Sequence, residues 1–386
     1  MELALSEEME AFRQEMRTFF TTEVSEDIRT TVLEGRELTK DQIVEAMRTL
    51  NEAGLAVPHW PVEWGGKDWT ELQRHLWNEE MQAAGVPTPL AFNASMIGPV
   101  IAQFGTEEQK KEFLPKTANI DIWWSQGFSE PDAGSDLASL RTTAVRDGDH
   151  FVVNGQKTWT TLGQYGDWIF TLVRTDPDVK KQAGISMLLI DMESEGLEVR
   201  PIELIDGGHE VNEVWFSDVR VPAENLVGEL NGGWTIAKFL LGNERVGVAP
   251  VGATKRVLAN AKQRAADLLA DDPLLRARVV DLENELLALE LTALRVVAHS
   301  SDGAPHPASS VLKLKGTELQ QAVSELVVDL GGPAAVSSGA GLDDDDTVAA
   351  WFARAPRTYL NLRKASIYGG SNEVQRQIIS RTILGL

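Results

Sequence analysis

The 386-residue sequence predicts an α+β fold in three successive zones, on three observations. Apolar residues recur at spacings of three and four over residues 1–118. Short β-rich runs broken by Asp-Gly and Asn-Gly fill residues 119–234, and helical spacing returns over 235–386. The expected domains are therefore an N-terminal helical domain, a central β domain and a C-terminal helical bundle.

The first zone is interrupted at VPHWPVEWGGKDW, Val57 to Trp69, where the density of Pro and Gly requires a loop. In the second zone TTAVR and HFVV flank Asp147-Gly148, and HFVV and KTWTT flank Asn154-Gly155. Both dipeptides accept the positive φ of a tight turn, so two hairpins are expected. The runs DWIFTLVRT, GISMLLIDM and NEVWFSDVRVP supply further strands, and a small barrel or folded sheet is the natural product. In the third zone Leu275, Val279, Leu282, Leu286, Leu289, Ala293 and Val296 alternate steps of four and three, a seam suited to antiparallel packing. Asp272 before Pro273 predicts an N-cap followed by Pro at the first helical position. The stretch Gly339 to Asp346, ending in four aspartates, reads as a solvated, mobile loop.

Composition removes several classes of function. A formal charge of −22 opposes nonspecific binding to nucleic acid or anionic membranes. No apolar run is long enough to span a bilayer, and the acidic amphipathic start MELALSEEMEAF is no export signal, so a cytoplasmic protein is expected. The absence of cysteine excludes disulfides and thiolate chemistry. Six histidines without metal-ligand spacing predict no metal site. No P-loop, Rossmann fingerprint or hydrolase elbow is present, which leaves the chemistry to a bound cofactor and a positioned carboxylate.

Gln126 to Thr161 supplies the cofactor signal. A strand-like run ends in the turn Ser129-Glu130-Pro131, the small-residue loop Asp132-Ala133-Gly134-Ser135 follows, and the chain leads on to Trp159-Thr160-Thr161. Hydroxyls on Ser129 and Ser135, with backbone N–H groups left near the surface by Ala133 and Gly134, suit a planar, anionic cofactor. This block closely resembles the flavin-binding signature of the acyl-CoA dehydrogenase family, and the zone order matches that fold: N-terminal helical domain, central β-barrel domain, C-terminal four-helix bundle.

The resemblance implies an FAD enzyme that oxidises an acyl-CoA at its α,β carbons. A base takes the α-proton, a β-hydride goes to flavin N5, and electrons pass to an electron-transfer flavoprotein. Phe128, Ser129, Gly134, Ser135, Trp159, Thr160 and Thr161 match its cofactor-binding positions, with Ser371 and Glu373 from the C-terminal segment. Ser135, Arg245 and Gly370 match substrate contacts. Trp60 and Trp64 fall in a loop where the family suggests packing anchors. Many members carry the base in a segment resembling Ile-Tyr-Glu-Gly-Thr, but here that position is Gly369, which retains only an N–H for the thioester carbonyl. A second branch places the base on an earlier helix, and Asn243-Glu244-Arg245 matches it, so Glu244 is the implied base. An ordinary solvated helix residue is the other reading of Glu244.

Homotetrameric relatives complete the FAD site of a neighbouring subunit with an Arg-x-x-Phe-Gly stretch and a Gln shortly before a Gly-Gly pair. Here Lys255 to Leu282 contains no Phe-Gly, and Val328-Asp329-Leu330 precedes Gly331-Gly332. The pattern resembles the base-bearing subunit of heteromeric dehydrogenases of the steroid side-chain or pimeloyl-CoA type. It implies a second dehydrogenase-like subunit in a heterotetramer, with a homo-oligomer as the alternative. An acyl-CoA oxidase and a non-catalytic supporting subunit are the competing functions.

Overall fold

The computed structural model describes residues 5–247, 250–298, 308–336 and 347–386, without the side chains of 241–247, 297 and 298. The acidic stretch expected as a loop, Gly339 to Asp346, lies outside the described residues. The chain begins with α1 (Glu7–Thr22), α2 (Glu26–Leu33), α3 (Lys40–Glu52), α4 (Glu71–Ala83), α5 (Gly98–Phe104) and α6 (Glu107–Ala118). Next come β1 (Trp124–Gly127), β2 (Thr143–Asp147), β3 (His150–Thr161), β4 (Trp168–Arg174), β5 (Ile185–Asp191), β6 (Leu197–Ile202), β7 (Val211–Pro222) and β8 (Leu226–Val227). Then follow α7 (Gly233–Gly247), α8 (Val251–Arg264), α9 (Ala266–Asp271), α10 (Pro273–Ala298), α11 (Ser309–Gly331), α12 (Pro333–Val336), α13 (Val348–Asn361) and α14 (Asn372–Ile379). Helical, β and helical zones thus succeed one another as the spacing predicts. Packing divides the chain into two units, each built from separate stretches: a β unit of residues 50–68 and 89–243, and a helical unit of 1–49, 69–88 and 244–386.

In the β unit the strands run in the order β6-β7-β3-β2-β4-β5-β8, with β1 parallel to β4. This path is open, which corrects the expected barrel. Its last strand, β8, is only two residues long and too short to carry a closing ladder. The Asp147-Gly148 hairpin forms, with Gly148 at φ 61°. The second expected hairpin does not. Residues 150–161 make one strand paired along β7, and Asn154-Gly155 lies opposite a bulge of β7 at Ser217-Asp218, with Gly155 at φ 148° and Asp218 at φ 52°. Across it the Asn154 amide donates to Asp218 at 3.0 Å, and the Asp218 N–H donates back at 2.9 Å.

Helices of the same unit pack around buried polar anchors. The Asn93 amide donates to the carbonyls of Thr117 and Ile122, and its oxygen accepts the Trp124 N–H. Trp60 is buried and its indole N–H donates to Ala94 O at 2.6 Å, the packing role expected of it.

In the helical unit Val279, Leu282, Leu286, Leu289 and Val296 lie buried on α10, with Leu275 and Ala293 packed against them, so the seam forms as read. It meets residues of α8, α11 and α13, among them Leu258, Leu326 and Phe352. Asp272 caps α10, accepting from the N–H groups of Leu274 and Leu275 at 2.8 and 3.0 Å.

A Cβ at Gly98 would lie 1.9 Å from Trp60 Cζ2. Gly98→Ala should therefore destabilise the protein by about 1–3 kcal/mol, the usual cost of overpacking, read from urea unfolding. An unchanged midpoint would show that Trp60 is not wedged against this helix.

Candidate functional site

Residues 128–142 leave β1 as a loop whose shape is set from its first turn. Glu130 and Ala133 exchange backbone hydrogen bonds at 3.1 and 3.0 Å. The Glu130 carboxylate, nearly sealed from solvent, accepts from the N–H groups of Arg141 and Thr142 at 2.6 and 2.9 Å and from Lys157 Nζ at 2.7 Å. Lys157, fully buried on β3, also donates to the Phe128 carbonyl at 3.2 Å. Arg174 on β4 donates to the carbonyls of Ala138 and Leu140, and Lys181 Nζ donates to Ser139. Burial pushes the Lys157 ammonium down to about 8, against the pull of Glu130. Glu130, though burial opposes it, is held below the usual carboxylate range by Lys157, Thr142 and Arg141.

The loop then lies beside the end of β3, where the Thr158 N–H donates to the Ser129 carbonyl at 2.9 Å. A second register slip, between Lys157 and Thr160, puts Trp159 at φ 61° with 58 % of its surface exposed. Positive φ is uncommon for a bulky residue and costs backbone energy. Ser129 and Thr161 are half-buried, and Ser135 and Gly134 are exposed, with open space where a Gly134 Cβ would stand. Thr160 is buried on the inward side of the strand, and its hydroxyl has no hydrogen-bond partner among the described residues. The Phe128 ring meets Phe170 edge-on at 5.8 Å. One expectation needs correction: the Ala133 N–H is not left near the surface but donates to the Glu130 carbonyl. An exposed indole beside hydroxyls and an open glycine still fits a planar, anionic cofactor.

In the helical unit Gly369 and Gly370 form a turn at φ 62° and 82°. Gln375, buried on α14, donates to the Gly369 and Gly370 carbonyls at 3.4 and 3.2 Å, and its own oxygen has no partner among the described residues. Asn372 accepts from Lys313 Nζ and Thr317 Oγ1, both at 3.2 Å, and Ser371 caps α14. Glu373 is exposed in the first turn of α14, its carboxyl held below the ordinary range by its own N–H and the Ser371 hydroxyl. Glu244 and Arg245 lie on α7, with side chains outside the described residues. Val328 packs against the bundle core and Asp329 pairs with Arg278.

Sequence reading missed the residues that hold these pieces: Glu130, Lys157, Lys313 and Gln375. One signal was available. Counting in twos from the inward-facing Phe151 and Val153 puts Lys157 on the buried face, where a lysine needs a carboxylate.

His75, Glu79 and Glu290 gather ligand atoms within 4.8 Å of one another, a proximity that histidine spacing alone does not reveal. The cation there is Lys255, which donates to both Glu290 oxygens at 2.9 Å. Burial and the hydrogen bond to Glu290 raise Glu79 to about 7, so the carboxyl pair holds a proton below neutral pH. No helix among the described residues is long and apolar enough to cross a membrane.

Comparison with known proteins gives a consistent result. Family models described as the N-terminal, middle and C-terminal domains of acyl-CoA dehydrogenase match residues 6–121, 125–219 and 231–384. Acyl-CoA dehydrogenase IpdE1 of Mycolicibacterium smegmatis is 35% identical over 401 residues, covering 98% of each chain. A solved structure titled Tcur3481-Tcur3483 steroid ACAD superposes with a TM-score of 0.88 at 30% identity, covering 100% of this chain and 99% of that one. The ChsE4-ChsE5 complex from Mycobacterium tuberculosis gives a TM-score of 0.85 at 34% identity, again covering 100% and 99%.

Because folding raises the Glu79 value, its contribution to stability is complete below the ordinary carboxyl range and is lost as pH rises through about 7. The Glu79 contribution to the unfolding free energy should fall between about pH 5 and pH 8, against an opposite contribution from His75, whose charged form burial disfavours, and Glu79→Gln should remove that fall. Urea titrations across this range check it. An undiminished slope in the variant would place the titration elsewhere.

Proposed function

The chain belongs to the acyl-CoA dehydrogenase family and is an oxidoreductase acting on acyl-CoA, and from that premise we propose an FAD-dependent α,β-dehydrogenation with Glu244 as the base. The observation that carries the cofactor half is Trp159, an exposed indole held at positive φ beside the loop from Phe128 to Thr142. Ser129, Gly134, Ser135 and Thr161 complete that surface. When bound, FAD supplies the hydride acceptor.

Glu244 takes the α-proton as the α C–H bond breaks, while the β-hydrogen leaves with its electron pair. The Gly369 N–H is assigned to the thioester carbonyl, where negative charge develops. Glycine suits that task, since the turn requires φ 62° and leaves no side chain beside the reacting carbons. Arg245 and Gly370 are assigned to substrate placement, and Ser371 and Glu373 to the cofactor's outer edge. Glu373 is the weaker base: a base for an α-proton must be desolvated, and Glu373 is exposed at a helix N-terminus that favours its ionised form.

Two observations support a partner subunit. Val328 is committed to the bundle core and Asp329 to Arg278, so neither offers a donor to an FAD pyrophosphate. Similar proteins of known structure are titled as two-chain assemblies, one of them a steroid ACAD. We assign this chain the base-bearing role in such an assembly, a bulky acyl-CoA of the steroid-degradation type as substrate, and an electron-transfer flavoprotein as electron acceptor.

Glu244→Gln should lower turnover on the order of 10²-fold or more and leave the flavin content unchanged. Near-normal turnover would move the base to another residue or to the partner, making this chain a supporting subunit. Co-expression with a related dehydrogenase-like chain should give a two-chain complex with fewer FAD molecules than chains. A stable homotetramer of this chain alone, with one tightly bound FAD in each subunit and full turnover, would overturn the partner assignment.

A further inference from the structure

We propose that Lys157 and Glu130 are positioning residues that hold the loop from Phe128 to Thr142 in its cofactor-binding shape, and that the ion pair serves this placement rather than the stability of the fold. The proposal rests on the reading of that loop and Trp159 as the FAD surface.

The geometry is unusually economical for one ion pair. Lys157 Nζ reaches the carbonyl of Phe128, where the loop begins. Glu130 takes the N–H groups of Arg141 and Thr142, where the loop ends. The 2.7 Å bond between the two charges fixes both ends to the point on β3 two residues before Trp159. The Thr158 N–H to Ser129 carbonyl bond falls between these anchors, so the hydroxyl of Ser129 and the indole of Trp159 are set by one framework. No apolar pair can reproduce it, because the Arg141 and Thr142 N–H groups need an acceptor at that place.

Stability is a poor reason for keeping the pair. Two charges brought out of water lose hydration that their attraction returns only in part, and neutral side chains of similar volume commonly leave a protein as stable or more so. The burial that pushes Lys157 down to about 8 expresses the same cost. Removing one partner alone is different, since the other charge is then stranded at a nearly sealed site.

The test uses the protein in its purified assembly. Three variants are compared with wild type, Lys157→Met, Glu130→Gln and the double variant, by the melting temperature of the flavin-free protein, its affinity for FAD and the visible spectrum of bound flavin. Lys157→Met alone should melt lower. Adding Glu130→Gln should restore the melting temperature to the wild-type value or above it, but not the affinity for FAD, which should stay about tenfold or more weaker with a shifted spectrum. The proposal is overturned if the double variant binds FAD as wild type does with the same spectrum. It is also overturned if the double variant fails to fold, or if its melting temperature falls in step with its affinity. Wild-type assembly that takes up no FAD at all would instead remove the flavin reading itself, a failure visible before any variant is made.

Discussion

An ammonium group sealed from water must find acceptors within its own fold, and around Lys157 these come from the turn that opens the 128–142 loop. That requirement orders the surrounding structure. β3 lies between β2 and β7 as far as Asn154 and stays paired with β7 to Lys157, where the register slips a second time. Trp159 emerges at positive φ because the residue before the slip is held inside and cannot move with it. The loop, the strand end and the exposed indole are thus parts of one constraint.

The distribution of charge follows a related logic. Buried or half-buried carboxylates elsewhere have particular partners: Glu80 takes Arg13 and Arg17, and Glu34 takes Arg264 and Arg354. At the 128–142 loop the pairing is equally specific: Lys157 takes Glu130, Lys181 takes Asp136, and Arg174 donates to the loop backbone at Ala138 and Leu140.

What the sequence disclosed was set by the range of each interaction. The α10 seam and the Asp272 cap depend on residues within a few turns, so spacing alone exposes them. Asn154-Gly155 misled because its local preference for positive φ is real, while its place opposite a bulge depends on Asp218, a residue of another strand. An open rather than closed sheet is likewise decided by how little β8 can pair, which no periodicity records. The flavin-like loop was legible as residue types, but Glu130 within it read as an ordinary turn residue until Lys157 was seen buried against it. Glu79 and Glu290 remained separate for the same reason: their meeting is made by the packing of α4 with α10.

The division of the chain into interleaved units also bears on how it is made. All of the β unit, residues 50–68 and 89–243, has been synthesised before the last helices exist. The helical unit begins earlier but ends later: α1 and α4 belong with α8 and α10, which are translated only after the whole sheet. Helix α4, with Leu76, Trp77 and Met81 buried on it in the finished protein, can meet α1 at once but meets α8 and α10 only after that interval. The residues of the sheet are therefore all available before the helical unit can be completed, and the α1–α4 pair has to be held over, with the sheet synthesised in between, until the later helices close that unit.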